Sequence, residues 1–164
     1  AIGECGLDLS LATPIEYQEK VLRYQLEIAK SLKKPLILHH RKSHNAIIRI
    51  LKQERFENGG IIHAFSGSEQ TANTYIDLGF ALGVGGTITY ERAIKTRSTI
   101  AKTNLKHIVL ETDAPDMPLY GYQGMPNSPE KLPVIAKVLA ELQECTLEVV
   151  KIQTTLNYEK IFSH

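Results

Sequence analysis

Short apolar runs alternate with amphipathic stretches along the chain. Ala1 to Leu7, Pro35 to His39, Ile61 to Phe65, Phe80 to Gly86 and Ile108 to Thr112 are compact runs of strand length. Between them the apolar residues recur at helical spacing. Val21, Leu22, Leu26, Ile28, Ala29 and Leu32 predict a long helix ending near Lys33, with Thr13 as its N-cap, Pro14 in its first turn and Glu16 three residues after the cap. Ile47, Ile48 and Leu51 predict a helix from Ser43 to about Arg55, broken by Gly59-Gly60. Further helices are expected over Ser68 to Leu78, stopped by Gly79, then Arg97 to Lys102, Pro129 to Gln143 opened by Ser128, and Leu147 to Phe162. Strands alternating with helices, with no low-complexity linker between them, predict one α/β domain over residues 1–164, with parallel strands joined by right-handed crossovers.

Composition narrows this further. The 164 residues are 43% hydrophobic and 23% charged, which excludes a disordered tail or a fibrous repeat. A formal net charge of +1 supplies no broad basic field, so a charged ligand has to be held locally. Cys5 and Cys145 form no close pair and sit in apolar surroundings, which predicts inert thiols in a reducing cytoplasm rather than a disulfide framework. No apolar run approaches the roughly 20 residues that span a bilayer, so no membrane partner is expected. The first residue is not Met and already lies in a strand-like run, which points to a piece of a longer protein.

The candidate chemistry lies where the apolar runs end. Glu4, His39, His63 and Asp113 each stand at or just beyond the C-terminal end of a different run, and in parallel α/β folds those ends open on one face. Alternation puts His39 on the face of Ile37, His63 on that of Ile61, and Asp113 on that of Val109 and Glu111. Any one of these alone is as well explained by a strand-end polar group satisfied by its neighbours. Four at one rim outweigh that reading. Two imidazoles and two carboxylates suit Zn²⁺, Mn²⁺ or Mg²⁺, which activate water and neutralise developing charge on oxygen.

Other polar residues rate lower. Arg41, two positions beyond His39, could fork onto a phosphate or pair with a surface carboxylate. Ser66, Gly67 and Ser68 precede a helix, where backbone N–H groups could cradle an anion or simply cap it. His40 faces away from His39 and is expected in a hydrogen-bonded second layer; His44 opens a helix in an anion-binding or structural role. His107 precedes a strand at the wrong end, and His164 is terminal. Gly83-Val84-Gly85-Gly86 is no nucleotide fingerprint and is expected to allow close backbone approach.

Gly3-Glu4-Cys5-Gly6-Leu7-Asp8, His39-His40-Arg41, Ile62-His63-Ala64-Phe65-Ser66-Gly67, Gly83-Val84-Gly85-Gly86, Glu111-Thr112-Asp113-Ala114-Pro115 and Thr155-Leu156-Asn157 together resemble the TatD family of metal-dependent deoxyribonucleases and hydrolases. The likeness runs over nearly the whole chain, and Gly83 through Tyr90 and Asp113 through Pro126 look most similar to its enterobacterial YjjV branch. The resemblance implies a (β/α)8 TIM barrel of the amidohydrolase-like kind with two divalent ions on its C-terminal rim. In that pattern Glu4 matches a bridging carboxylate, His39 and His63 match ligands of one ion, and Asp113 matches the carboxylate that manages the proton of the nucleophilic water. Glu4 and Asp113 are thus the implied catalytic pair, and Arg41 falls where the family places a phosphate contact. The implied substrate is DNA or a small phosphodiester, with no obligate protein partner.

One departure is large. The family's His-x-His on the first strand is absent, and a barrel of this kind takes about 250 residues, so roughly three of eight strand–helix units are expected to be missing from the five seen here. A five-strand arc cannot close, and its open edges need covering. Two other functions stay open at this point: hydrolysis of a non-nucleic amide or ester by the same centre, and a catalytically silent binding or scaffold module.

Overall fold

Five strands lie parallel in the order in which the chain makes them: β1 (Ile2–Asp8), β2 (Leu36–Arg41), β3 (Gly60–Ile62), β4 (Phe80–Val84) and β5 (Ile108–Leu110). The computed structural model describes residues 1–162. Unreversed order is the winding of a barrel; a doubly wound sheet would reverse at a switch point and put helices on both faces. Between and after the strands come α1 (Ile15–Ser31), α2 (His44–Gln53), α3 (Glu69–Asp77), α4 (Ile94–Lys102), α5 (Leu132–Leu142) and α6 (Leu147–Phe162).

The strands are short, and their two faces have different tasks. Leu36, Leu38, Ile62, Leu82 and Ile108 point to the helices, where Leu22, Leu26 and Ala29 of α1, Ile47, Ile50 and Leu51 of α2, and Ile135 and Leu139 of α5 complete one continuous buried cluster. On the other face Ile61, Ala81 and Val109 form a smaller cluster, closed by Ile161 and Phe162 from the end of α6. His63 and Glu111 continue that inner face two residues beyond Ile61 and Val109.

Several boundaries differ from the sequence pattern, each for a local reason. Thr13 makes no capping bond. Pro14 is the N-cap instead, and the entry to α1 is held by Gln18, which donates to Thr13 O at 2.9 Å and to Asp8 O at 3.1 Å while accepting from Asp8 N at 2.8 Å. Strands expected to run to Phe65, Gly86 and Thr112 stop at Ile62, Val84 and Leu110. The chain turns there because Ala64 and Asp113 take left-handed φ of 45° and 58°, and Gly86 opens a short 3-10 turn. Helix α4 begins at Ile94 rather than Arg97, and Pro129–Lys131 is a 3-10 turn capped by Ser128 ahead of α5. On α1 only one apolar face is covered: Val21, Ile28 and Leu32 are exposed, in line with Tyr17 and Tyr24.

Cys5 is buried and Cys145 half-buried, and both are free thiols. Burial, helped by the Glu4 charge, pushes the Cys5 thiol up to about 12, so it stays protonated and inert. Among the described residues no helix is long and apolar enough to cross a membrane.

Candidate metal centre

Glu4 reaches the rim because β1 is pressed onto β2. Gly3 and Gly6 hold φ of 149° and 154°, and a Cβ on them would come within 2.6 Å of Ile37 O and 2.0 Å of His39 O. Only glycine tolerates that approach. Glu4 Oε1 lies 3.0 Å from His39 Nδ1 and 4.0 Å from His63 Nε2. Two residues beyond β5 meet the His63 ring: Asp113 Oδ1 lies 3.2 Å from the same Nε2, and on the other side of the ring Nδ1 donates to Glu111 Oε2 at 3.0 Å. The four residues singled out from the sequence therefore stand as one contact chain, His39–Glu4–His63–Asp113; Glu4, expected at the end of its strand, lies instead within β1, which runs on to Asp8, and only its side chain reaches the others.

Asp113 sits on a stapled loop. Asp116 N donates to Asp113 O at 2.8 Å, and the buried Asn127 ties the segment together, its Nδ2 donating to Thr112 O at 2.7 Å and to Met117 O at 3.1 Å. Nothing in the sequence pattern marked Asn127. Glu111, which the sequence marks by its face and its motif but assigns no role, also accepts from Ala64 N at 2.6 Å. Its signal was there: a second carboxylate two positions before Asp113 on a strand end facing the same way.

The electrostatics follow from these contacts. The bond to Glu111 is the main cause that raises His63 to about 9, reinforced by the charges of Glu111, Glu4 and Asp113 and opposed by burial. Asp8, whose Oδ2 is 3.6 Å from His39 Nε2, is held below the usual carboxylate range chiefly by hydrogen bonds from Ser10, with small help from the Arg41 and His39 charges. A cleft of about 370 Å³ opens beside Glu4, Gly6, Asp8, Gln18 and His39.

The lower-ranked residues take separate places. Arg41 is exposed at the end of β2, on the Asp8 side. Ser66 O accepts from His44 Nε2 at 2.9 Å, Gly67 O accepts from Thr99 Oγ1 at 3.0 Å, and Ser68 caps α3 through Thr71 N. His44 also meets Tyr75 Oη at 3.1 Å, so its role is structural. His40 stacks on His44 with ring centroids 4.1 Å apart, and its Nε2 is buried without a hydrogen-bond partner. Burial pushes His40 down to about 3, so it is neutral at pH 7. His107 lines a different cavity, at the strand starts with Asn58, Lys106 and Lys160. His164 lies outside the described residues.

The sequence profile of the family described as TatD related DNase matches residues 1–163. The chain belongs to that family. It is 49% identical over 144 residues to an uncharacterized metal-dependent hydrolase of Escherichia coli, YjjV, covering 87% of this chain and 56% of that protein. It is 48% identical over 168 residues to one from Haemophilus influenzae, covering 99% of this chain and 64% of the relative. The crystal structure of the Escherichia coli YjjV protein, a TatD homolog, superposes with a TM-score of 0.95 at 44% identity, over 100% of this chain and 64% of that one. A TatD family protein from Entamoeba histolytica repeats the fold at 20% identity with a TM-score of 0.87. The chain thus spans somewhat under two thirds of the relatives it matches, as an arc of a TatD-type barrel.

The donor types, two imidazoles and two carboxylates, are those a divalent ion takes. Two ligands sharing one zinc at about 2.0–2.1 Å stand roughly 3.3 Å apart in a tetrahedral site, and His63 Nε2 lies 3.2 Å from Asp113 Oδ1. Among the described residues no three donors already surround a single point; they are paired with each other instead.

Proposed function

We propose that the intact TatD-type protein is a metal-dependent phosphodiesterase that cleaves DNA. The observation that carries this reading is the convergence of Glu4, His39, His63 and Asp113 into one contact chain on the strand-end rim. Family membership supports it. A divalent ion held there by His39, His63, Glu4 and Asp113 would acidify water and neutralise charge on the phosphoryl oxygens; the family resemblance implies two such ions, of Zn, Mn or Mg. Asp113, a third exposed on its loop, accepts the proton of the attacking water and passes it to the leaving oxygen. Glu4 Oε1, 3.0 Å from His39 Nδ1 and 4.0 Å from His63 Nε2, would hold the two imidazoles to a common ion. Arg41 at the outer end of β2 receives the substrate phosphate as a planar fork, and the Ser66–Gly67 turn lies along the same rim. Two free cysteines suit the reducing cytoplasm as its compartment.

The near-balanced charge of +1 favours a short contact with DNA over a long electrostatic track, and equally admits a non-nucleic ester or amide. A panel of single- and double-stranded DNA, a generic phosphodiester, carboxylic esters and amides, run with Mg²⁺, Mn²⁺ or Zn²⁺ and again with EDTA, decides between them. Chelator-sensitive cleavage of DNA is expected. Cleavage of ester or amide alone would replace the substrate, and no metal-dependent turnover at all would remove the enzyme reading.

A further inference from the structure

Glu111 and His63 are not on neighbouring strands. Glu111 follows β5 and His63 follows β3, with β4 between them, so their backbones are separated by two strand spacings of about 4.8 Å each. The carboxylate still reaches His63 Nδ1 at 3.0 Å and Ala64 N at 2.6 Å. It does so by passing over Gly83, which lies on the inner face two residues beyond Ala81. A Cβ on Gly83 would stand 2.4 Å from Glu111 Oε2 and 2.9 Å from Glu111 Cδ. Gly85 is different: its Cβ would meet Glu111 only at 3.4 Å or more, ordinary contact. Gly83 is not in a left-handed conformation, so the backbone itself does not demand glycine there. The carboxylate makes the closest approach, with Ile62 O next at 3.0 Å.

We propose that Gly83 is a notch in β4 through which Glu111 crosses to lock the His63 ring, making Glu111 the positioning residue of the metal centre and Gly83 the condition for its reach. The inference rests on the metal-centre reading above. An imidazole that donates Nδ1–H to a carboxylate keeps Nε2 free as a ligand and cannot rotate away, the second contact with Ala64 N fixing the carboxylate in turn. The Gly-rich run on β4 thereby has a task within the site.

The test is a double-mutant cycle on the intact protein, read by calorimetric titration with Zn²⁺. Gly83→Ala and Glu111→Ala are each expected to weaken zinc binding roughly 10- to 100-fold, and the double variant no further than Glu111→Ala alone, because both remove the same contact. Gly85→Ala should bind as the parent does. Unchanged affinity in Gly83→Ala, or losses that multiply in the double variant, overturns the proposal. Should Gly83→Ala fail to fold, restoration of folding by Glu111→Ala supports the notch and failure to restore it overturns it. A second readout needs no metal: the hydrogen-bonded Nδ1 proton of His63, sought by NMR in EDTA, is expected in the parent and absent from both single variants. Its persistence in Gly83→Ala overturns the proposal. If the parent binds no zinc, the metal-centre reading falls by itself, and this proton alone decides whether Gly83 seats Glu111.

Discussion

The two halves of the centre are built differently. On the β1–β2 side, Glu4 and His39 have side chains 43% and 38% exposed and lean on each other. On the β3–β5 side, His63 and Glu111 are 13% and 18% exposed, and where the His39 ring meets its second carboxylate, Asp8, at 3.6 Å, His63 meets its two at 3.0 and 3.2 Å. One half is open to the cleft at Asp8 and Gln18, whereas the other is braced through the sheet. The difference teaches that proximity alone does not make a rigid ligand. A rim residue becomes one when the ring is buried and its partner carboxylate is within hydrogen-bond distance and buried with it, as Glu111 is at His63 and Asp8, 3.6 Å from His39 Nε2, is not.

The largest expected effect tests whether both halves serve one reaction. Asp113→Asn should lower metal-dependent turnover by about 10²- to 10⁴-fold with little change in thermal midpoint; a loss that follows the fraction unfolded would mean that Asp113 acts only in the fold. Next, the halves should separate in stability. His63→Ala leaves the half-buried Glu111 carboxylate with Ala64 N as its one remaining hydrogen-bond partner among the described residues and should cost about 1–3 kcal/mol in urea unfolding of the metal-free protein, whereas His39→Ala should stay within about 0.5 kcal/mol. Equal costs would erase the contrast between open and braced ligands.

Two histidines give the comparison a pH signature in metal-free protein. His63 is raised to about 9 in the folded state, against about 6.5 unfolded, so the stability it adds is complete below pH 6.5, declines as pH rises, and is gone above about 9. His40 is depressed to about 3, so its sign is opposite: stability is intact above pH 6.5 and falls as pH drops toward 3. Each limb has a slope of at most about 1.4 kcal/mol per pH unit. Urea midpoints between pH 4 and 9.5 should lose the alkaline limb in His63→Ala and part of the acid limb in His40→Asn; limbs that survive both substitutions would assign the dependence elsewhere. The smallest effect concerns the thiols. Cys145 should react first with a disulfide reagent, and Cys5 only at the rate of opening, because burial raises its pKa to about 12. A fast-reacting Cys5 would show that the β1 side opens more readily than its packing implies.

Much of this was legible beforehand for identifiable reasons. Apolar runs bounded by glycine mark the strands, and in a parallel fold every strand end faces one way, so Glu4, His39, His63 and Asp113 could be grouped without coordinates. The strand ends themselves were not legible. Ile61 to Phe65 reads as a continuous run, but the chain turns left-handed at Ala64, whose N–H is bound by the Glu111 carboxylate, a contact 47 residues distant that local sequence does not show. Thr13 looked like a cap because its local sequence fits one, yet Gln18 offered the backbone of β1 and the turn a better set of partners. Val21, Ile28 and Leu32 have helical spacing and remain exposed because the face they share with Tyr17 and Tyr24 has no partner among the described residues.

The amino-acid order by itself determined which residues face the inner side of the sheet, since a strand alternates every two residues whatever it packs against. It also determined the chemical set at the rim, two imidazoles with carboxylates around them. Only the folded chain decided which carboxylate touches which ring nitrogen, and that Glu111 does so across an intervening strand. Such a contact depends on strand order and on the missing side chain at Gly83, and strand order is fixed by packing between segments far apart in sequence, which no local pattern encodes.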